Sequence, residues 1–228
     1  VASIGNSGAN GTYSAGAPGV GDKVIGVASF DNVEITLNAV LVGPEATPVG
    51  YVTAAGAPTP PTSGELPMAR LGDPGTDEAR TCTPDGTTVP IEEDLTGQAV
   101  LIERGACTFH AKALAAQEAG AEAVVLYNNE PGLLNPTVEG DPAITIPVIL
   151  VQQEDGQQID EMITSSEDDV MLAWSDQTTT GPGPGGGLIS SFSSYGMTAE
   201  LQLKPDLGAP GGNIWSTVPL EQGGYANN

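Results

Sequence analysis

One histidine, two cysteines, two acidic triplets and one Asn-Gly-Thr triplet are the residues of this 228-residue chain whose types could support chemistry. His110 has no nucleophile near it in sequence and no second histidine, so it cannot supply the base of a Ser-His-Asp triad by itself, nor a closed metal site. A surface or half-buried structural role is expected for it, with a pH-sensing or contact role as the alternative. Glu92-Glu93-Asp94 and Glu167-Asp168-Asp169 could in principle gather oxygens around calcium, but neither has the spaced Asp-x-Asp-x-Asp-Gly loop. They read as solvated turns, and neither a metal nor a cofactor is expected. Asn10-Gly11-Thr12 fits the glycosylation acceptor pattern, whereas Asn135 is followed by Pro136 and does not.

Cys82 and Cys107 form a pair with no leftover thiol. Their spacing suits neither a redox Cys-x-x-Cys nor a zinc site. In an acidic chain rich in glycine and proline they read as one disulfide of an exported protein, the alternative being two reduced buried thiols. Closing a loop of that length would contribute about 3 kcal/mol in the chain-entropy model.

Composition narrows the rest. Six basic against 29 acidic residues give a formal charge of -23. Phosphate binding needs clustered Lys and Arg, so nucleic acid and anionic membrane surfaces are excluded as partners. A basic peptide remains compatible, although acidity of this size chiefly serves solubility. Aromatics make up 4% of the chain, with 31 Gly and 19 Pro, so the core must be built from Val, Ile, Leu and Ala between many turns. No apolar run approaches 18 residues and no signal segment opens the chain. The abrupt start at Val1 and the abrupt end suggest a piece of something longer.

The elements that must position these groups centre on residues 98–128. Gln98 to Glu103 is a continuous apolar run, as expected of a strand covered on both faces. Cys107 lies at the following turn, and Thr108 is placed to cap a helix whose Phe109, Ala113 and Ala116 share a face that we expect to be buried. Gly120 supplies the left-handed stop before a second apolar run, Val124 to Asn128. Together they make a compact βαβ unit. Before it, 37–42 and 48–52 read as strands, 57–62 as an extended loop and 65–94 as turn-rich. After it come a strand at 146–151, a helix around 157–163 and a strand at 170–174. The glycines and prolines of 178–187 read as a linker.

At these residues the sequence resembles a known family. Glu103-Arg104-Gly105, Cys107, Phe109, Lys112, Ala116-Gln117, Ala119-Gly120-Ala121, Val124-Val125 and Tyr127-Asn128, followed by Ile146 to Val151 and Glu154-Asp155-Gly156, are similar to the core of a protease-associated (PA) domain. The resemblance covers about residues 95–165 and implies a non-catalytic module inserted in or attached to a secreted or membrane-associated protease.

The two ends resemble a second family. Ala2 with Gly5-Asn6-Ser7-Gly8, Val24 to Ser29, Ile189 to Gly196 and Lys204 to Thr217 are similar, in order, to segments of subtilisin-like serine proteases. The family's Asp-Thr/Ser-Gly, His-Gly-Thr-His and Gly-Thr-Ser-Met-Ala motifs do not occur, so the chain is expected to have no hydrolase activity of its own. Asn6 falls at the family's oxyanion-hole asparagine. An amide suits that role because it donates to an oxygen that becomes negative only in the transition state, and one such donor was worth roughly 100- to 1,000-fold in turnover in a protease of that family.

The expected architecture is therefore α/β: a PA-domain-like central β-sheet or open barrel with two short helices over residues 37–187, flanked by β-rich arms of a subtilisin-like domain at 1–36 and 188–228. We expect the arms to pack on each other. The implied host is a secreted, bacterial, multidomain serine endopeptidase, extracellular or cell-wall associated, and the module controls substrate access or recruits protein substrates. The alternative is a structural or dimerisation role. Expected partners are the host's catalytic domain and a protein or peptide substrate, with a homodimer compatible and membrane insertion excluded. Ligands of parallel sheets gather beyond strand carboxyl ends, so Tyr127, Asn128, Asn129, Leu133 and Leu134 are the candidate contacts, the alternative for the two leucines being a hydrophobic tuck under their loop.

Overall fold

The computed structural model describes residues 1–183, 185–217 and the backbone of 225–227. Pro184 of the expected linker, and residues 218–224 and 228 of the carboxyl arm, lie outside the described residues. In chain order the elements are β1 (Ala2–Ser3), β2 (Gly26–Asp31), β3 (Glu34–Val42), β4 (Thr47–Thr53), β5 (Glu65–Arg70), α1 (Asp77–Arg80), β6 (Ala99–Glu103) and α2 (Phe109–Glu118). There follow β7 (Ala123–Tyr127), β8 (Val148–Val151), α3 (Gln153–Ser165), β9 (Met171–Pro182), β10 (Gly196–Met197), β11 (Leu203–Lys204), β12 (Leu207–Gly212), β13 (Trp215–Thr217) and β14 (Tyr225–Asn227). A three-residue 3₁₀ turn, Gly8–Asn10, precedes β2. The chain divides into two compact units, one of Val1–Thr36 with Gly181–Asn228 and one of Leu37–Thr180.

The second unit is a closed seven-stranded barrel in the order β3-β4-β8-β7-β6-β5-β9. Strands β5, β6, β7 and β8 run parallel, and β3, β4 and β9 close the barrel by antiparallel pairing. Every residue of β6, β7 and β8 is buried, which is why their apolar runs are unbroken. Alternate residues Ala99, Leu101, Val125, Tyr127, Ile149 and Val151 join Val40, Val42, Tyr51, Met68 and Trp174 in one core, with Ile159 of α3. Thr108 caps α2, its hydroxyl accepting from Ala111 N–H at 3.2 Å, and Gly120 follows the helix at φ +91°.

Several elements depart from the expectation. The stretch from residue 65 is not all turn: β5 pairs antiparallel with β9 through Glu65, Leu66 and Pro67, then parallel with β6 through Met68, Ala69 and Arg70. Pro67, which argues against a central strand, stands where the strand changes partner. A one-turn helix α1 follows, capped by Thr76. The linker expected from residue 178 starts later, because Thr178, Thr179 and Thr180 are β-branched and continue β9; the turn lies in the glycines after Pro182. On α2 the buried face is Lys112, Ala113 and Ala116, while Phe109 is only half-buried.

In the first unit, β1, β2 and β12 form a parallel sheet in the order β1-β2-β12, so segments from both ends of the chain share it. Lys204 fastens the arrangement: its ammonium donates to Val24 O at 2.8 Å and to the Asp206 carboxylate at 2.6 Å, and that carboxylate accepts from Gly26 N–H at 2.7 Å. The Lys204 ammonium and the Gly26 N–H hold the Asp206 carboxyl below its usual range.

Candidate functional site

Four parallel strands end on one rim of the barrel, with Glu103 opposite Tyr127, Tyr127 opposite Val151 and Arg70 opposite Leu101. All three arginines of the chain, Arg70, Arg80 and Arg104, lie at these ends or pair with them. Arg70 Nε donates to Asp160 Oδ1 of α3 at 2.7 Å, and its Nη2 donates to Gly72 O at 2.6 Å and Asp73 Oδ1 at 2.7 Å. One guanidinium thus joins the end of β5, its loop and a helix. The Asp73 hydrogen bond, with Asp160, raises Arg70 further above its ordinary range, while burial pushes the Asp160 carboxyl up against the opposing pull of Arg70.

Glu103 accepts from Gly75 N–H at 2.6 Å and from both Nε and Nη2 of Arg80 at 3.2 Å. The fork-shaped pairing fixes α1 against β6. Lys112, fully buried, donates from Nζ to the carbonyl oxygen of the same Arg80. Burial, and next the Arg80 guanidinium, lower the Lys112 ammonium to about 8, with Glu103 opposing. Arg104 donates to Asn128 Oδ1 at 3.0 Å and lies 3.7 Å from Glu130, while Asn128 Nδ2 donates to Gly132 O at 2.8 Å. Gln153 Nε2 reaches Asn129 O at 2.9 Å, and Asn129 Oδ1 is buried with no hydrogen-bond partner among the described residues.

This rim joins acids to bases and ties three loops and three helices together. Its carboxylates and guanidinium groups pair with one another, which fixes the loops that leave the strand ends. Of the contacts expected from the sequence, Tyr127 and Asn128 are buried, Asn129 and Leu134 are half-buried, and Leu133 is 6% exposed. Tyr127 and Leu133 therefore face inward. Gly156 explains the first: α3 packs so closely that a Cβ there would meet Tyr127 Cβ at 2.2 Å. Burial, then the Glu103 and Asp160 carboxylates, push the Tyr127 phenol far up. Leu133 tucks into the protein instead of standing out, the ordinary fate of an apolar side chain in a long loop.

His110 is half-buried, its Nε2 2.8 Å from Pro142 O. Cys82 and Cys107 are joined by a disulfide, which links the end of α1 to the turn before α2. Asp94 accepts from Thr96 N–H and Oγ1, which hold its carboxyl below the usual range. Glu167, Asp168 and Asp169 are exposed beyond α3.

In the other unit Asn6 is exposed on the loop after β1. That loop is pinned from both sides: Ser194 N–H donates to Gly5 O at 2.8 Å, Ser7 N–H to Ser194 Oγ at 2.9 Å, and Gly8 N–H to Phe192 O at 2.9 Å. Gly5, at φ +110°, takes a backbone conformation that a side chain would strain.

Sequence reasoning missed Arg70, Arg80, Asp160 and the role of Lys112. Only Lys112 left a signal, since it lies three positions after Phe109 and four before Ala116, within the stripe that faces the core.

Comparison with known proteins agrees with this architecture. The model of the PA domain matches residues 38–159. The PI-type proteinase of Lactococcus lactis subsp. cremoris is 31% identical over 149 residues, covering 62% of this chain and 7% of that protein. The minor extracellular protease Vpr of Bacillus subtilis is 30% identical over 225 residues, covering 96% of this chain and 25% of that protein. Among solved structures, the psychrophilic subtilisin-like protease Apa1 from Pseudoalteromonas sp. AS-11 aligns at a TM-score of 0.47 and 16% identity, over 84% of this chain and 50% of that one. The chain spans a quarter or less of the length of these two proteinases. With more than half of its residues matched, from within β3 through β8 of the barrel, the chain belongs to the PA domain family.

Proposed function

We propose that the barrel is a non-catalytic module of a secreted subtilisin-like serine endopeptidase, where it controls substrate access or recruits protein substrates. One contrast carries the reading. The large apolar side chains that stand exposed among the described residues, including Tyr13 at 71%, Leu188 at 66%, Leu201 at 68% and Leu203 at 77%, all belong to the unit of 1–36 and 181–228. The barrel has none of them and is a finished module. The smaller unit has the surface of a domain whose remaining parts would cover it, and its partner in this reading is the protease's catalytic domain.

The similar extracellular and PI-type proteinases support a proteolytic host, and the disulfide supports an oxidising compartment. In this reading Asn6 is the host's oxyanion donor, the catalytic Asp, His and Ser come from outside these residues, and the chain alone does not hydrolyse peptides. Asn129 and Leu134 remain the candidate contacts at the rim.

The test uses the full-length proteinase with and without its barrel. Gly183 N–H donates to Val33 O at 2.9 Å, so residues 34–182 can be replaced by a short glycine link between two positions that already touch. Loss or relaxation of cleavage of a folded protein, with cleavage of a short peptide intact, supports the access or recruitment role. A parallel fall of both activities with thermal stability refutes it in favour of a structural brace, and a mass that halves on deletion assigns dimerisation instead.

A further inference from the structure

We propose that Ser194 is the positioning residue for Asn6, holding the peptide planes on both sides of it. The inference rests on the reading of Asn6 as the host's oxyanion donor and adds the group that aims it.

Asn6 lies in a loop that does not hold its own shape. Gly5 and Gly8 bracket it, Gly5 stands at φ +110°, and the Asn6 side chain is exposed. Glycine leaves the backbone more conformations than any other residue. An oxyanion donor tolerates little of that freedom, because it must stand about 2.7–3.1 Å from the place where the negative oxygen forms. A misplacement of about 1 Å can cost roughly 100-fold in rate.

Ser194 supplies the missing constraint. Its N–H donates to Gly5 O at 2.8 Å, which fixes the peptide plane before Asn6. Its Oγ accepts from Ser7 N–H at 2.9 Å, which fixes the plane after it. Those two planes define φ and ψ of Asn6, so one residue sets the backbone from which the amide projects. Gly5 leaves room for the hydroxyl, since a Cβ there would lie 3.0 Å from Ser194 Oγ. Gly8 adds a third tie, its N–H donating to Phe192 O at 2.9 Å.

Ser194 is itself firmly held. It is 0% exposed, and the residues before it are laced to β2, the central strand of its sheet. Ser193 Oγ accepts from Ser29 N–H at 3.0 Å, Ser190 N–H donates to Ser29 O at 2.9 Å, and Ser190 Oγ donates to Asp31 Oδ1 at 2.6 Å. The segment 190–194 thus takes its position from β2 and hands it on to the loop of Asn6. Alanine at 194 would keep the backbone tie to Gly5 and leave Ser7 N–H without that acceptor.

The test is a double-mutant cycle in the full-length proteinase. Asn6→Ala should lower kcat by about 100- to 1,000-fold. Ser194→Ala should lower kcat about tenfold with KM within about twofold, since the donor remains but its backbone is loosened. In the Asn6→Ala background the same change should cost less than about twofold, because no donor is left to aim. On this chain, the Ser7 amide of Ser194→Ala should exchange with solvent about tenfold faster while Val27 and Ala28 of β2 keep their protection. Ser194→Cys, a weaker acceptor, carries the same expectations where the alanine variant does not fold. If Asn6→Ala loses activity but Ser194→Ala does not, or Ser194→Ala costs the same in both backgrounds, the inference falls and the reading of Asn6 stands. An unchanged Ser7 exchange rate overturns the inference as well. If Asn6→Ala leaves kcat unchanged, the reading of Asn6 falls and the inference with it.

Discussion

Lys112→Met removes a charge from the barrel wall while keeping nearly the same volume. The ammonium is fully buried and lowered from 10.5 to about 8, principally by burial and secondarily by Arg80. A base whose folded value lies below its unfolded one destabilises the fold at low pH, where both states carry the proton. The penalty is relieved as pH rises from about 8 towards 10.5, because the folded state sheds the proton first. With each unit worth about 1.4 kcal/mol, the two values give a full penalty of about 3 kcal/mol. About 2 kcal/mol of that is recovered between roughly pH 7 and 9.5. Methionine has no such term but leaves the Arg80 carbonyl without its donor, a loss of about 1–3 kcal/mol. At pH 7 the two effects nearly cancel. At pH 9.5 the wild type should be the more stable by about 2 kcal/mol relative to their difference at pH 7.

Urea unfolding at the two pH values, followed by Trp174 fluorescence in a Trp215→Phe background, measures this in the barrel, where Trp174 is 7% exposed. Taking the difference between the two proteins cancels the other titrating groups, including the raised tyrosines. With no free cysteine, thiol exchange does not intervene at alkaline pH. If the wild type and Lys112→Met change stability in parallel between the two pH values, Lys112 is not carrying a buried charge and the reasoning fails.

Other expectations follow from the same geometry. Changing Cys82 and Cys107 together to alanine opens a bridge across 25 positions and should cost about 3 kcal/mol in urea unfolding. Arg70→Lys, although it retains charge, cannot reach Asp160, Gly72 and Asp73 together and should cost about 2 kcal/mol; a loss under 0.5 kcal/mol would show that the fork is dispensable. Gly156→Ala should destabilise the barrel by about 2–3 kcal/mol. Adding Tyr127→Ala should not rescue it, since the collision involves Tyr127 Cβ. A fluorophosphonate serine probe should leave the chain unlabelled, as read by intact mass.

The βαβ unit was legible because its signals are local. A continuous apolar run reads as a strand covered on both faces, Thr108 as a cap and Gly120 as a stop, and each is decided within a few residues. Strand β5 was hidden because its six residues serve two different neighbours, and Pro67 at the changeover carries a breaker's signature. The rim was hidden for a related reason. Arg70, Arg80, Glu103 and Asp160 lie far apart in sequence, and nothing near any one of them announces its partner. Leu133 stood open between a contact and a tuck, because exposure depends on what the folded loop finds beneath it. Lys112 shows the limit most plainly, since a lysine in a core stripe reads as polar until the carbonyl that receives it is in view.

The hydrogen bond between Val33 and Gly183 sets an order for folding. Gly26 and Asp206, 180 positions apart, meet where β2 and β12 pair. While the barrel is unfolded, that pairing must close a loop of roughly 180 residues. Once the barrel has formed, Val33 and Gly183 are already together and about 30 flexible residues remain to be closed. Loop-closure entropy makes the second route cheaper by about 1.5 kcal/mol, roughly tenfold in rate. The barrel is therefore the early folder, and the sheet that joins the two ends of the chain is a late event which waits for the intervening segment to shorten the search.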